Sequence, residues 1–232
     1  MDKPIRNDQS SAMRCLVTAG PTIEPLDDVR RLTNFSTGRL GIEFSDFLVM
    51  RGHDVRLLLG EQATWNADNA KAELIRFAST ADLQAQFEHA GKGDFNAIFH
   101  ASAVSDFKFG KIWEVNEEGE KTELAAGKIS SRAPSLLAEL IPTPKLINRL
   151  RTWFPQAMIV GWKYEVDGTR EDVLAKAQSQ VADNSTNLCI ANGPAYGEGF
   201  GIIDARGVRI HRNDRNALFE ALAQMLESDP ED

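Results

Sequence analysis

Cysteine is scarce: the 232-residue chain has two, Cys15 and Cys189, each inside an apolar run. Two such residues cannot build a disulfide framework, and they read as small core residues of a reducing compartment. Positive charge is also short, with 26 Lys and Arg against 34 Asp and Glu and a net charge of −8. That balance excludes a nucleic-acid backbone as the main partner, because tracking phosphates needs a basic face. Histidine numbers four, without a His/Cys cluster, which argues against a zinc site. No run approaches the roughly 18 uncharged apolar residues of a membrane span, so no membrane partner is expected. The opening MDKPIRNDQSSAMR lacks the apolar middle of a signal peptide, and a cytoplasmic protein is the expectation.

What is present is enough apolar residue, 42%, for a sizeable core. Residues 1–13 read as a disordered tail, 14–227 as one domain and 228–232 as an acidic tail. Strand-like runs (Cys15–Ala19, Val55–Leu59, Glu73–Phe77, Ala97–His100, Met158–Val160, Leu188–Ala191) alternate with helix-like ones. The helices are marked by Leu40, Phe44, Phe47 and Leu48, by Leu83 and Phe87 after a Ser79 or Thr80 cap, by Arg170–Val181, and by Asp214–Leu226. Ile202–Ile210, broken at Asp204–Gly207, reads as a hairpin. The pattern predicts an α/β, Rossmann-like fold: a largely parallel, doubly wound sheet with helices on both faces and a C-terminal hairpin plus helix. Phe107–Pro144 shows no clear period and reads as a long irregular segment, either functional or disordered.

In open α/β sheets, ligands bind beyond the carboxyl ends of strands. Beyond the first strand lie Gly20, Pro21 and Thr22, and then Asn34-Phe-Ser-Thr-Gly-Arg-Leu-Gly41 at the start of a helix. Ser36, Thr37 and Gly38 offer hydroxyl and backbone N–H donors to a phosphate, and Arg39 adds charge. The same residues could instead cap the helix and let it pack closely, and the residues alone leave both open. Neither Gly-x-Gly-x-x-Gly nor a Walker loop is present. Next comes His100-Ala-Ser-Ala-Val-Ser-Asp106-Phe, where small residues let a ligand near the backbone and Asp106 either binds it or caps a turn. His100 reads as a hydrogen-bonded core residue. Lys128, in GKISS, could close over a nucleotide or be merely solvated. Thr143-Pro-Lys-Leu-Ile147 opens a helix, and Trp162 either stacks on a base or fills the core.

Six segments carry a wider likeness: LVTAGPTIEPLDDVRRLTNFSTGRLG, IFHASAVSDF, GKISS, TPKLI, VGWKYEVD and NLCIAN. In this order, from Leu16 to Leu226, they resemble phosphopantothenoylcysteine synthetase, in its separate, single-function bacterial form without a flavin-dependent domain in front. The resemblance implies a homodimer that binds 4′-phosphopantothenate, cysteine and a nucleoside triphosphate with Mg²⁺, CTP in bacterial members and ATP as the alternative, and no flavin. The carboxylate would be activated as an acyl-cytidylate and then captured by cysteine. By the same likeness, Asn34 would hold the acyl intermediate and Lys128 would reach the triphosphate as the catalytic pair. Gly20, Thr22, Asn34, Ser36, Thr37, Gly38 and Arg39 would bind the substrate. Ala101, Ser102, Asp106, Phe107, Lys128, Pro144, Lys145 and Trp162 would bind the nucleotide. The metal ligands are unassigned.

One departure stands out. The family places two lysines four apart before the Leu-x-x-Ala-Asn strand, and ungapped alignment puts Ser179 and Asp183 there. Lys176 or Lys163 could serve the same face, or the chain is a nucleotide-binding paralogue that does not ligate. An NAD(P)-dependent reductase would need the glycine fingerprint that is missing. Charge is gathered unevenly: residues 30–41 carry +3 and 128–151 carry +4, leaving −15 for the remainder. A small polyphosphate ligand is expected to sit between those two segments.

Overall fold

The computed structural model describes residues 12–124, 129–130, 135–207 and 209–228, so most of the expected tails at 1–13 and 228–232 lies outside it, while Met13 packs against the core and Ser228 caps the last helix. The chain begins with β1 (Arg14–Ala19), the short strands β2 (Ile23–Pro25) and β3 (Arg31–Thr33), helix α1 (Arg39–Met50), β4 (Asp54–Gly60) and β5 (Glu73–Phe77). Helix α2 (Thr80–Ala90) leads into β6 (Ala97–His100), followed by β7 (Phe107–Val115), β8 (Lys121–Glu123) and β9 (Ser135–Pro142). Then come α3 (Ile147–Trp153), β10 (Met158–Tyr164), α4 (Arg170–Asn184) and β11 (Leu188–Asn192). The hairpin β12 (Phe200–Asp204) and β13 (Arg209–Arg212) precedes α5 (Arg215–Glu227).

Eight of these strands form one sheet in the order β13-β12-β11-β10-β6-β1-β4-β5. Pairing is parallel from β11 to β5, and the hairpin adds two antiparallel strands at one edge. Strand side chains alternate between faces, and both faces are covered, which is why the strands read as unbroken apolar runs. On one face Cys15, Val17, Leu57, Phe99, Val160 and Ile190 pack under α1 and α5 through Phe44, Leu48, Leu218 and Leu222. On the other, Leu16, Leu58, Ile98 and Ile159 meet α2 and α3 through Leu83, Phe87 and Leu150, while Cys189, Ala191 and Ile203 meet α4. Each such buried Leu or Phe contributes about 2–3 kcal/mol of transfer free energy. Both cysteines are free and buried, and desolvation pushes each thiol up to about 12, so they act as packing residues.

Helix caps follow local chemistry. Ser79 accepts from Asp82 N, Thr169 and Asp172 form a reciprocal capping box, and Asp214 accepts from Ala217 N. The segment expected to be irregular is instead largely strand: β7 pairs antiparallel with both β8 and β9 in a separate three-stranded arm. A register shift between Phe109 and Ile112 interrupts the alternation that would have marked β7. Every described residue of β9 is exposed, so neither of its faces shows a polar-apolar pattern.

Candidate functional site

Strand β1 lies between β4 and β6, so the chain runs outward through β4 and β5 and then returns to the opposite flank of β1. Such a reversal leaves a crevice beyond the carboxyl ends of the two diverging strands. A cleft of about 870 Å³ opens there. One wall is Asn34–Gly41, the next is His100–Asp106, and Thr143–Ile147, the end of β10 and Asn192 at the end of β11 complete it.

Backbone pairing ties the walls together. Ala103 N donates to Gly20 O at 3.0 Å, Thr22 N to Ala103 O at 3.1 Å, and Thr143 N to Asp106 O at 2.9 Å. Asn34 is exposed on this frame, with its Nδ2 donating to Ala103 O at 3.2 Å. Gly38 sits at the N-cap of α1 in a left-handed conformation, φ 78°, with no side-chain cap and no acid in the first turn. A Cβ there would stand 2.9 Å from Ala63 Cβ, and one on Gly41 would stand 2.5 Å from Ala19 Cβ. Close packing is therefore real, but Ser36 and Thr37 are not the N-cap; only Thr37 Oγ1 accepts weakly from Arg39 N at 3.3 Å. The N-terminus of α1 is left facing the cleft with its positive dipole end uncompensated by an acid.

His100 is buried, and its Nδ1 lies 2.9 Å from Thr18 Oγ1, which accepts from Ser102 N at 3.2 Å. Burial lowers the imidazole to about 4, so it is neutral and holds the backbone of the second wall. Among the described residues Asp106 is the one carboxylate lining the cleft, and it pairs with Lys145. Trp162 Nε1, Ser102 Oγ and Asn192 Oδ1 are buried without a hydrogen-bond partner among the described residues, and all three residues line the cleft. Each such group costs about 1–3 kcal/mol unpaired, as does Thr186 Oγ1 outside the cleft, and the three in the cleft are placed to pair with a ligand.

The fold thus brings together Gly20, Asn34, Ser36, Thr37, Gly38, Arg39, Ala101, Ser102, Asp106, Pro144, Lys145 and Trp162. Two expected residues stay out. Thr22 is fully buried, its hydroxyl accepting from Ser105 N at 2.8 Å, so it braces the wall from behind. Phe107 begins the arm at β7 and is not part of the lining. Lys128 lies outside the described residues. The charge count also overstated the cleft's share. Arg30 pairs with Asp27, Arg149 stacks on Trp153 at 5.0 Å, and Arg151 is spent on backbone carbonyls, which leaves Arg39, Lys145 and Lys163 as the cleft's cations among the described residues.

Residues 11–225 match the model of the DNA/pantothenate metabolism flavoprotein C-terminal domain. The chain belongs to that family. The likeness to phosphopantothenoylcysteine synthetase read from the six segments holds at this level. The coenzyme A biosynthesis bifunctional protein CoaBC of Thermococcus kodakarensis is 30% identical over 180 residues, 77% of this chain and 41% of that protein. The chain spans less than half the length of that relative. The crystal structure of the DNA/pantothenate metabolism flavoprotein from Streptococcus pneumoniae superposes with a TM-score of 0.81 at 26% identity, covering 93% of this chain and 99% of that one. A Cab2 variant in complex with phosphopantothenate-cysteine shares the fold, with a TM-score of 0.67 at 19% identity, over 92% of this chain and 85% of that one. Among the described residues no helix is long and apolar enough to cross a membrane.

Within this family member the α4 face differs from the ungapped reading. Gln180 is the α4 residue on the cleft wall, whereas Ser179 and Asp183 are exposed elsewhere on the helix. Gln180 Nε2 donates to Trp162 O at 3.3 Å, and Asn184, one turn on, donates to Gln180 O at 2.6 Å. Lys163 and Lys176 both grip Glu165, at 3.1 and 2.5 Å, and only Lys163 lines the cleft. The hydrogen bond from Lys176, supported by Lys163, lowers the Glu165 carboxyl and keeps it ionised. Sequence reasoning missed Gln180, Asn192 and Tyr164. The strand-end rule that found Ala101 and Trp162 points equally to Asn192, the last residue of β11.

Proposed function

We propose that this chain is the ligase that joins 4′-phosphopantothenate to L-cysteine in coenzyme A biosynthesis, through an acyl-nucleotidylate formed from CTP, with ATP as the alternative. The observation that carries the reading is the meeting of five separate motif segments at one cleft of about 870 Å³ at the sheet's switch point. That volume lies in the upper part of the range for small-molecule sites, with room for an acyl substrate beside a nucleotide. The family's CoaBC relatives and the Cab2 complex support the same substrates.

A carboxylate resists attack by an amine until its oxygen becomes a good leaving group. A pantothenate carboxylate oxygen attacks the α-phosphorus, the bond to the bridging oxygen breaks, and pyrophosphate leaves. The cysteine amine then attacks the acyl carbon, the nucleoside monophosphate departs, and the amine proton passes to solvent. Asn34 stands at the junction of the two walls, where its amide donates to the acyl oxygen as negative charge develops. Ser36–Arg39 at the start of α1 hold the phosphate of the acyl substrate. Ala101, Ser102, Pro144, Lys145 and Trp162 hold the nucleotide, with Lys128 over its phosphates.

When bound, Mg²⁺ neutralises triphosphate charge. Among the described residues no group of three His, Cys, Asp or Glu could hold a metal, so the ion fits only as a companion of the phosphates with Asp106 as the available carboxylate. The exposed Leu136, Leu137, Leu140 and Ile141 of β9 support a homodimer built through the arm. Gln180 in place of a cation favours the second reading, a nucleotide-binding paralogue without ligase activity. Pyrophosphate release decides between them. The ligase releases it from CTP or ATP only when 4′-phosphopantothenate is present, and binding of nucleotide without any release establishes the paralogue.

A further inference from the structure

The cleft's arginine is held from outside the cleft. The Arg39 guanidinium stacks on the ring of Trp65, with its carbon 4.1 Å from the ring centroid, and Trp65 itself is 39% exposed on the loop after β4. Arg39 Nε donates to Glu43 Oε1 at 2.6 Å, and Arg215 Nε reaches the other oxygen of Glu43 at 3.2 Å. One carboxylate thus serves two guanidinium groups, and the trio keeps a net charge of +1. Both terminal nitrogens of Arg39 are without a protein partner among the described residues, and that pair of N–H groups suits a phosphate bidentately. The same loop is fixed to the phosphate-side turn, because Trp65 N donates to Thr37 O at 3.0 Å.

We infer that Trp65 is a positioning residue for the phosphate end of the acyl substrate: its ring holds Arg39 flat beside Ser36–Gly38, which makes the loop after β4 a determinant of affinity for a phosphomonoester. The inference rests on the ligase reading and adds a residue outside the six motif segments. A free arginine side chain must be ordered when an anion arrives, whereas a stacked and carboxylate-held one has already lost that freedom. Stacking of this kind at an exposed site alters an equilibrium by about twofold to fivefold.

Calorimetric titration with 4′-phosphopantothenate tests it, using the full chain and variants with unchanged melting temperature. Trp65→Ala is expected to weaken binding about fivefold, and Trp65→Phe to restore it to within about twofold of wild type. In an Arg39→Ala background, Trp65→Ala is expected to change affinity by less than about twofold, because Trp65 then has nothing to hold. Unchanged binding by Trp65→Ala, or full multiplication of the two effects, overturns the inference while leaving the ligase reading standing. Wild-type protein that fails to bind 4′-phosphopantothenate overturns the ligase reading and this inference with it.

Discussion

At the scale of single residues, the site's chemistry rests on a few groups whose surroundings differ sharply. Asn34 is exposed and, among the described residues, makes one side-chain hydrogen bond, to Ala103 O, so its removal leaves the core untouched. Asn34→Ala is expected to keep the wild-type melting temperature and to lose at least about 100-fold in amide formation, the scale of one lost transition-state donor. Wild-type turnover in that variant removes Asn34 from the mechanism. His100 behaves in the opposite way. The unfolded chain takes up a proton near pH 6.5, but the folded chain refuses it until about 4, so between those values the unfolded state binds more protons. The stability this gives is complete above pH 6.5 and falls, by up to about 3 kcal/mol, as pH drops toward 4. Urea unfolding at pH 7, 5.5 and 4.5 checks this, with His100→Asn expected to lack that part of the slope. The residue scale is also where sequence reading ran furthest astray. Arg149 and Arg151 contributed to the positive charge counted for residues 128–151, where a polyphosphate was expected. A linear count cannot see that one stacks on Trp153 and the other turns to main-chain carbonyls.

Among the elements, the six core strands, the C-terminal hairpin, four of the helices and the start of α3 were legible, because both faces of the sheet are buried and the helices are amphipathic. The arm was not. β7 carries a register shift at Gly110 and Lys111, β9 is exposed on both faces, and β2 and β3 are three residues each, too short for a period to show. The link between α3 and the sheet was equally invisible. Arg151 donates to the carbonyls of Phe154, Pro155, Ala157 and Ser185 and to Asn187 Oδ1, which itself accepts from Ile159 N at 2.8 Å. This guanidinium pins the end of α3 to the starts of β10 and β11. Arg151→Ala is expected to cost about 3 kcal/mol in urea unfolding, since several carbonyls lose a charged donor together. A loss below about 0.5 kcal/mol shows that solvent replaces those bonds. Asp27 does comparable work where the loop after β2 meets Ile129. Held ionised chiefly by Arg30, it accepts from Ile129 N at 3.1 Å while Arg30 donates to Ile129 O at 2.9 Å.

At the scale of the whole molecule, the location of the site is a consequence of the sheet topology. The reversal at β1 and β6 sets the cleft, and twelve of the residues expected from the strand-end rule and the family likeness line its walls. It could not place the α4 residue facing inward, because the length of the turn between Tyr164 and Arg170 decides which helical position comes round. The arm, with four large apolar residues exposed on one strand, is expected to pair with a second copy. Leu137→Asp with Leu140→Asp should convert a dimer to a monomer in sedimentation equilibrium, and a wild-type monomer at micromolar concentration contradicts the homodimer. The central claim is that this cleft makes an amide. Incubation of the full chain with CTP, Mg²⁺, 4′-phosphopantothenate and cysteine, followed by mass spectrometry, should show phosphopantothenoylcysteine and one CMP for each amide formed. No amide with either CTP or ATP would contradict it.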